Sequence, residues 1–233
     1  MSGFRFLLPV TLLNADRLVA VELGTILVAP LLLAYGVNQQ LHFPALFVLL
    51  GYCLWRLSKA GVRRAYMRFD WQACRFALSG ILLRAGAAWL VILAFVLWFY
   101  PDRLLCIPSN SPIIIAGVAV GYTFVSVLPQ EIVFRCYAGW RLDELKVRIL
   151  PATIISAALF GWVHILFGSW LSVALGFAAG LVFYRTYRKT RSLAAVWVEH
   201  NLFGLGVFVL GLDPLFYQGA LLDQFVPACG GAG

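Results

Sequence analysis

Residues 111–137 read SPIIIAGVAVGYTFVSVLPQEIVFRCY, and nothing in 111–130 carries a charge. A helix of ~20 apolar residues is what the roughly 30 Å hydrocarbon core of a bilayer requires, so this stretch predicts a membrane span. It ends on Glu131 and Arg135, four residues apart. That spacing puts both side chains on one helix face, with the acid on the favoured N-terminal side. Insertion scales put the cost of such a side chain at mid-membrane at ~2.5–3.5 kcal/mol, so its first reading is functional. Pro129 removes a backbone donor and bends the helix, leaving free carbonyls and room for water. The plain alternative is a structural ion pair tying the cytoplasmic end of the helix to its loop.

The same apolar character extends along the chain, which is 62% hydrophobic and only 12% charged. A typical soluble domain carries about 25% charged residues. Spans are predicted at about 18–37, 43–58, 76–100, 111–137, 149–167, 169–187 and 193–211. The fold class is therefore all-α, a polytopic membrane helix bundle of about seven transmembrane helices in one domain, residues 1–233. The first ~15 residues suit the membrane interface, and the tail after Asp213-Pro214 is too short to read as an eighth span.

Net charge is +8, but its distribution follows topology. With a cytoplasmic N-terminus, fifteen Lys and Arg residues fall inside and Arg103 alone outside, leaving Arg84 and Arg135 within spans. That asymmetry satisfies the positive-inside rule and sets the basic loops against anionic lipid; the expected location is a bacterial-like inner (plasma) membrane. Nucleic acid is excluded as a partner; the lipid bilayer is the implied one. Trp98, Tyr100, Trp140, Trp170 and Tyr187 lie near span ends and read as interface anchors. The five cysteines lack CxxC spacing and read as small buried hydrophobes. No cleavable signal peptide is evident. Glu22 and Arg84, each a few residues into a span, suit pairing or snorkelling.

Two of the three histidines join Glu131 and Arg135 in apolar segments. His164 lies deep in Leu159-Phe160-Gly161-Trp162-Val163-His164, where Gly161 lets a neighbouring helix approach closely. His200 is flanked by Glu199 and Asn201. At ~100° per residue these three sweep roughly 200° of a helix, so at least one points into the bundle. A glutamate beside a histidine in a dry cavity can take a proton from water, and a second histidine or an amide can hold the resulting oxyanion. Glu131, His164 and His200 are equally the ligand set of an open zinc site, although no HExxH motif supports it.

These residues, in this order, resemble the CPBP family of CAAX proteases and bacteriocin-processing or self-immunity intramembrane enzymes. The family's EExxxR motif is matched by Gln130-Glu131-Ile132-Val133-Phe134-Arg135, its FxxxH motif by Phe160 and His164, and its third histidine by His200 after Ser192-Leu193. The resemblance covers about residues 111–211 and implies a glutamic intramembrane endopeptidase with its active site between the last four helices. Carried across, it implies that Glu131 and His164 activate water, that His200 stabilises the oxyanion, and that Arg135 orients the carboxylate. No cofactor is implied.

Two positions depart from the family pattern. The first glutamate is Gln130, and the asparagine four residues after the third histidine is Gly204. Glu131 then becomes the base, and Asn201 or Gln130 the hydrogen-bond donor. The implied substrate is a membrane-associated protein or peptide: prenylated in the eukaryotic branch, a lipid-linked or sorting-signal peptide or a bacteriocin precursor in a bacterial-looking chain. The alternative is a non-catalytic immunity or assembly factor that binds a peptide in the same cavity. A small proton-relaying transporter is a third reading, which the lack of an internal repeat argues against.

Overall fold

The structure, a computed structural model, describes residues 18–19, 21–22, 24–26, 28–30 and 41–216. The expected interfacial segment at the N-terminus and the tail beyond residue 216 lie outside the described residues. Among those described, regular structure is entirely helical. Six long helices follow the predicted spans: α1 (His42–Lys59), α2 (Trp71–Phe99), α3 (Pro112–Glu144), α4 (Ile149–Phe167), α5 (Trp170–Thr190) and α6 (Leu193–Leu210). Four helical stretches among the described residues are long and apolar enough to cross a bilayer: one comprising α2 and the preceding residues from Arg63, together with α3, α4 and α6. The expected total of seven is therefore not established. Helices α1 and α5 are long enough, but carry Arg56 and Lys59, and Arg185, Arg188 and Lys189, near their C-terminal ends.

Short polar side chains start three of the helices. Asp70 accepts from the Ala73 amide to cap α2, Ser169 from Ser172 to cap α5, and Ser192 from Ala195 to cap α6. Each satisfies one of the amides a helix leaves open at its first turn.

Helix α3 is the axis of the bundle. Its residues 122–127 and 132–137 form wide i→i+5 turns on either side of Leu128–Glu131, which contains Pro129. The proline thus sits between two widened turns, the usual response to a lost ladder bond. Every residue from Glu131 to Leu142 is buried, and this half of α3 shares one apolar core with Cys53 and Leu57 of α1, Phe160 of α4, Phe183 of α5 and Val196 of α6. On α2, by contrast, Phe76, Leu83, Leu90 and Trp98 are exposed, as suits side chains that meet lipid.

Helices α4 and α5 form a hairpin that meets through small residues. A Cβ on Gly161 would lie 2.7 Å from the Phe177 amide nitrogen, one on Gly176 3.2 Å from the Gly161 Cα, and one on Gly180 2.8 Å from the Ala157 Cα. The close approach read from Gly161 is thus made against α5.

The basic end is fastened by carboxylates. Glu22 pairs with Arg56 at 3.1 Å and Arg141 at 2.7 Å, and accepts from the Tyr52 hydroxyl at 2.6 Å. Asp143 pairs with Arg188 at 2.5 Å and accepts from Tyr66 at 2.9 Å. Arg84 meets Glu199 at 2.6 Å.

Two sequence expectations need correcting. Trp98, Tyr100 and Trp170 are exposed, but Trp140 and Tyr187 are buried. The Arg141 guanidinium stacks 4.8 Å from Trp140, and the Tyr187 hydroxyl donates to the Tyr66 carbonyl at 2.7 Å, so both rings serve the ionic fastening rather than the membrane interface. Cys53, Cys74 and Cys136 are buried free thiols as expected, whereas Cys106 is disulfide-bonded.

The helix hairpin gives the first prediction. Gly161→Ala forces a methyl into backbone and should cost about 1–3 kcal/mol, the usual price of overpacking. Gly117→Ala, with nothing within 4 Å of the new Cβ, should be neutral. Thermal melting in detergent compares the two.

Candidate active site

The site starts from Glu131, whose carboxylate has no solvent exposure and is shared between two partners. Its Oε1 lies 2.8 Å from Nδ1 of His200. Its Oε2 lies 3.1 Å from Nε of Arg135, which is equally unexposed. The i,i+4 spacing read from the sequence therefore produces a real pair, and α6 delivers the histidine to it. Carboxylate, guanidinium and imidazole form one buried unit.

The surroundings of that unit are almost wholly aromatic. Arg135 packs its guanidinium 4.4 Å from the Phe160 ring centroid and 5.6 Å from that of Phe183. A cation over a ring face gains from the ring quadrupole, and more when desolvated. His200 stacks on Phe183 at 4.7 Å and meets Phe160 edge-on at 5.3 Å. Ser156 of α4 lies 3.5 Å from a terminal Arg135 nitrogen and donates to the Phe134 carbonyl at 2.9 Å. Phe160, Phe183 and Ser156 were legible in the sequence only as helix residues, and Phe160 as a motif position.

His164 stands on the other side of Phe160, 4.8 Å between ring centroids. Its Nδ1 lies 2.7 Å from the Phe160 carbonyl oxygen. A carbonyl only accepts, so Nδ1 carries the proton and Nε2 keeps its lone pair. Gly176 makes room for the ring, since a Cβ there would lie 2.9 Å from Nδ1. The same logic applies to His200: Nδ1 faces the carboxylate as donor and Nε2 remains the basic nitrogen. The imidazoles keep a little exposure, 8% for His164 and 5% for His200, where Glu131 and Arg135 keep none.

The remaining expected residues are placed differently. Asn201 donates its amide to the Trp197 carbonyl at 2.8 Å and accepts from Thr123 at 2.7 Å. It ties α6 to α3. Gln130 donates to Ser126 at 2.8 Å along its own helix. Neither hydrogen-bonds Glu131, His164 or His200. Glu199 is buried and turned to Arg84, so Glu199, His200 and Asn201 all lie inside the protein with separate partners. Among the described residues, no three His, Cys, Asp or Glu side chains are gathered to share one metal ion.

An all-helical bundle with several apolar spans fits an integral membrane protein, here with a carboxylate–imidazole pair buried inside it. Residues 112–206 match the family model described as type II CAAX prenyl endopeptidase Rce1-like. This segment is similar to the CAAX endopeptidases, in agreement with the resemblance read from its motifs, and it holds Glu131, Arg135, His164 and His200 together. No curated protein and no solved structure matches the chain.

Removing one partner of a sealed ion pair leaves a buried charge without compensation. Arg135→Met should therefore cost about 3–5 kcal/mol. Glu131→Gln with Arg135→Met should cost less than Arg135→Met alone. Melting temperatures of the two variants in detergent check the order.

Proposed function

We propose that the protein is an intramembrane endopeptidase that hydrolyses a peptide bond near the membrane-embedded or lipid-bearing end of a protein or peptide substrate. The observation that carries this reading is the Glu131–His200 hydrogen bond, sealed among aromatic rings within the segment that matches the endopeptidase family. Substrate enters from the bilayer, and the reacting water meets the imidazoles.

In the assignment that the resemblance implies, Glu131 and His164 activate water and His200 holds the oxyanion. The contacts favour a different division of labour. Glu131 holds His200 with Nδ1 protonated, which makes Nε2 the general base, as a carboxylate does for the histidine of a Ser-His-Asp triad. Water gives its proton to Nε2 as it attacks the scissile carbonyl. Glu131 stabilises the imidazolium, which then protonates the leaving amine. Arg135 orients the Glu131 carboxylate. His164 contributes a second basic nitrogen that positions the water. Gln130 then has no part in the proton transfer, which reconciles its amide with an active enzyme.

The orientation has the basic loops in the cytoplasm. Cys106 supports this, because it lies near Arg103, away from the basic loops, and is disulfide-bonded. Disulfides persist in oxidising compartments and are rare in the cytosol.

The test is cleavage of a peptide panel by purified protein in liposomes, with prenylated, lipid-linked and unmodified membrane-anchored substrates. Glu131→Gln, His200→Ala and His164→Ala should each lower kcat by about 10²–10⁴-fold, the usual contribution of general acid–base catalysis. Cleavage should survive a chelator. Loss of activity with chelator and its return with zinc would move the chemistry to a metal. Peptide binding without cleavage at any pH would favour an immunity or assembly factor.

A further inference from the structure

Hydrolysis at this site needs a hydrogen-bond donor for the carbonyl oxygen that becomes negative in the tetrahedral intermediate, and most polar hydrogens nearby are already committed. The Nδ1–H groups of His200 and His164 face Glu131 and the Phe160 carbonyl. Arg135 pairs through Nε with Glu131, and its unpartnered Nη2 is out of reach because the side chain has no exposure and is covered by Phe160 and Phe183. The amides of Asn201 and Gln130 donate to Trp197 and Ser126. Both imidazoles therefore offer the substrate a lone pair at Nε2, which suits a base and not an oxyanion.

Tyr122 is different. It lies in the first wide turn of α3, and its ring meets the His200 ring edge-on at 6.0 Å between centroids. The ring also packs on Phe208 at 5.4 Å. His200, Gly204 and Phe208 follow one another at i, i+4 and i+8, so the tyrosine lies along the same face of α6 that presents His200. A Cβ on Gly204 would collide with the Tyr122 hydroxyl oxygen. The phenol thus fills the place a side chain at 204 would take, one turn from His200. Its hydroxyl makes no hydrogen bond with any described residue, and Tyr122 is only half-buried, so the O–H can reach a ligand.

We propose that Tyr122 is a catalytic residue, whose hydroxyl donates a hydrogen bond to the oxyanion formed at the Glu131–His200 site. The proposal rests on the endopeptidase reading. As the water oxygen bonds to the carbonyl carbon, the carbonyl π electrons move to its oxygen, which accepts the Tyr122 O–H hydrogen bond. The proton lost by water passes to His200 and then to the departing nitrogen as the C–N bond breaks. Tyr122 keeps its own proton throughout. Gly204 follows from the arrangement: the residue opposite the phenol can have no side chain while the hydroxyl stands there.

The experiment is steady-state kinetics of full-length Tyr122→Phe in liposomes on whichever panel peptide the wild type cleaves, with melting in detergent alongside. Because the hydroxyl has no protein partner among the described residues, melting should be unchanged. Removing one oxyanion donor should lower kcat by about 10²–10³-fold, with KM shifted no more than about threefold. Gly204→Ala, which displaces the phenol and keeps its hydroxyl, should also lose kcat. A Tyr122→Phe enzyme within about threefold of wild-type kcat overturns the role of Tyr122 and leaves the endopeptidase reading intact. So does a loss confined to KM, which would make Tyr122 a substrate-binding residue only. A wild type that cleaves no peptide overturns the endopeptidase reading itself, and this proposal with it.

Discussion

The Glu131–Arg135 ion pair is the constraint around which the bundle is organised. Both side chains have no exposure, and each ion taken from water carries a desolvation penalty of several kcal/mol. Mutual attraction offsets that penalty only with good geometry and further partners. The protein supplies them from three other helices: His200 from α6, Ser156 and the Phe160 ring from α4, and the Phe183 ring from α5. A slip of any of these helices by one turn would leave a charge unaccompanied in a medium without water. The positions of α4, α5 and α6 around α3 are therefore coupled through a single ion pair.

Close packing makes that coupling possible. The glycines of α4 and α5 let the two backbones meet, and Gly176 gives the His164 imidazole its place against Phe160. The aromatic rings exclude water from Glu131 while the imidazoles retain slight exposure. A fixed, dry set of dipoles is where electrostatic stabilisation is strongest, because nothing must reorganise as charge develops.

The basic residues show a similar economy. Read along the chain, they divide by side of the membrane as a topology signal. In three dimensions several also hold the bundle together, Arg56 and Arg141 on Glu22, and Arg188 on Asp143. Trp140 and Tyr187 were drawn into that fastening and away from lipid. One-dimensional spacing records how far an aromatic ring is from a span end, and not whether another helix covers it.

The sequence by itself determined the helical membrane class, six of the helices close to their observed bounds, and the ionisable residues Glu131, Arg135, His164 and His200. Apolar run length, short capping side chains and the cost of charge in hydrocarbon are local properties and can be read locally. The i,i+4 pairing of Glu131 with Arg135 belongs with them, since one helix defines it. Which histidine meets the carboxylate was decided only by the tertiary structure, because that contact joins residues 69 positions apart through the packing of α3 on α6. The same packing committed Asn201 and Gln130 to other helical partners and brought Tyr122 to the space left by Gly204. A side chain's partner depends on how two helices rotate against each other, and small residues and ring stacking set that rotation only once the whole bundle is assembled.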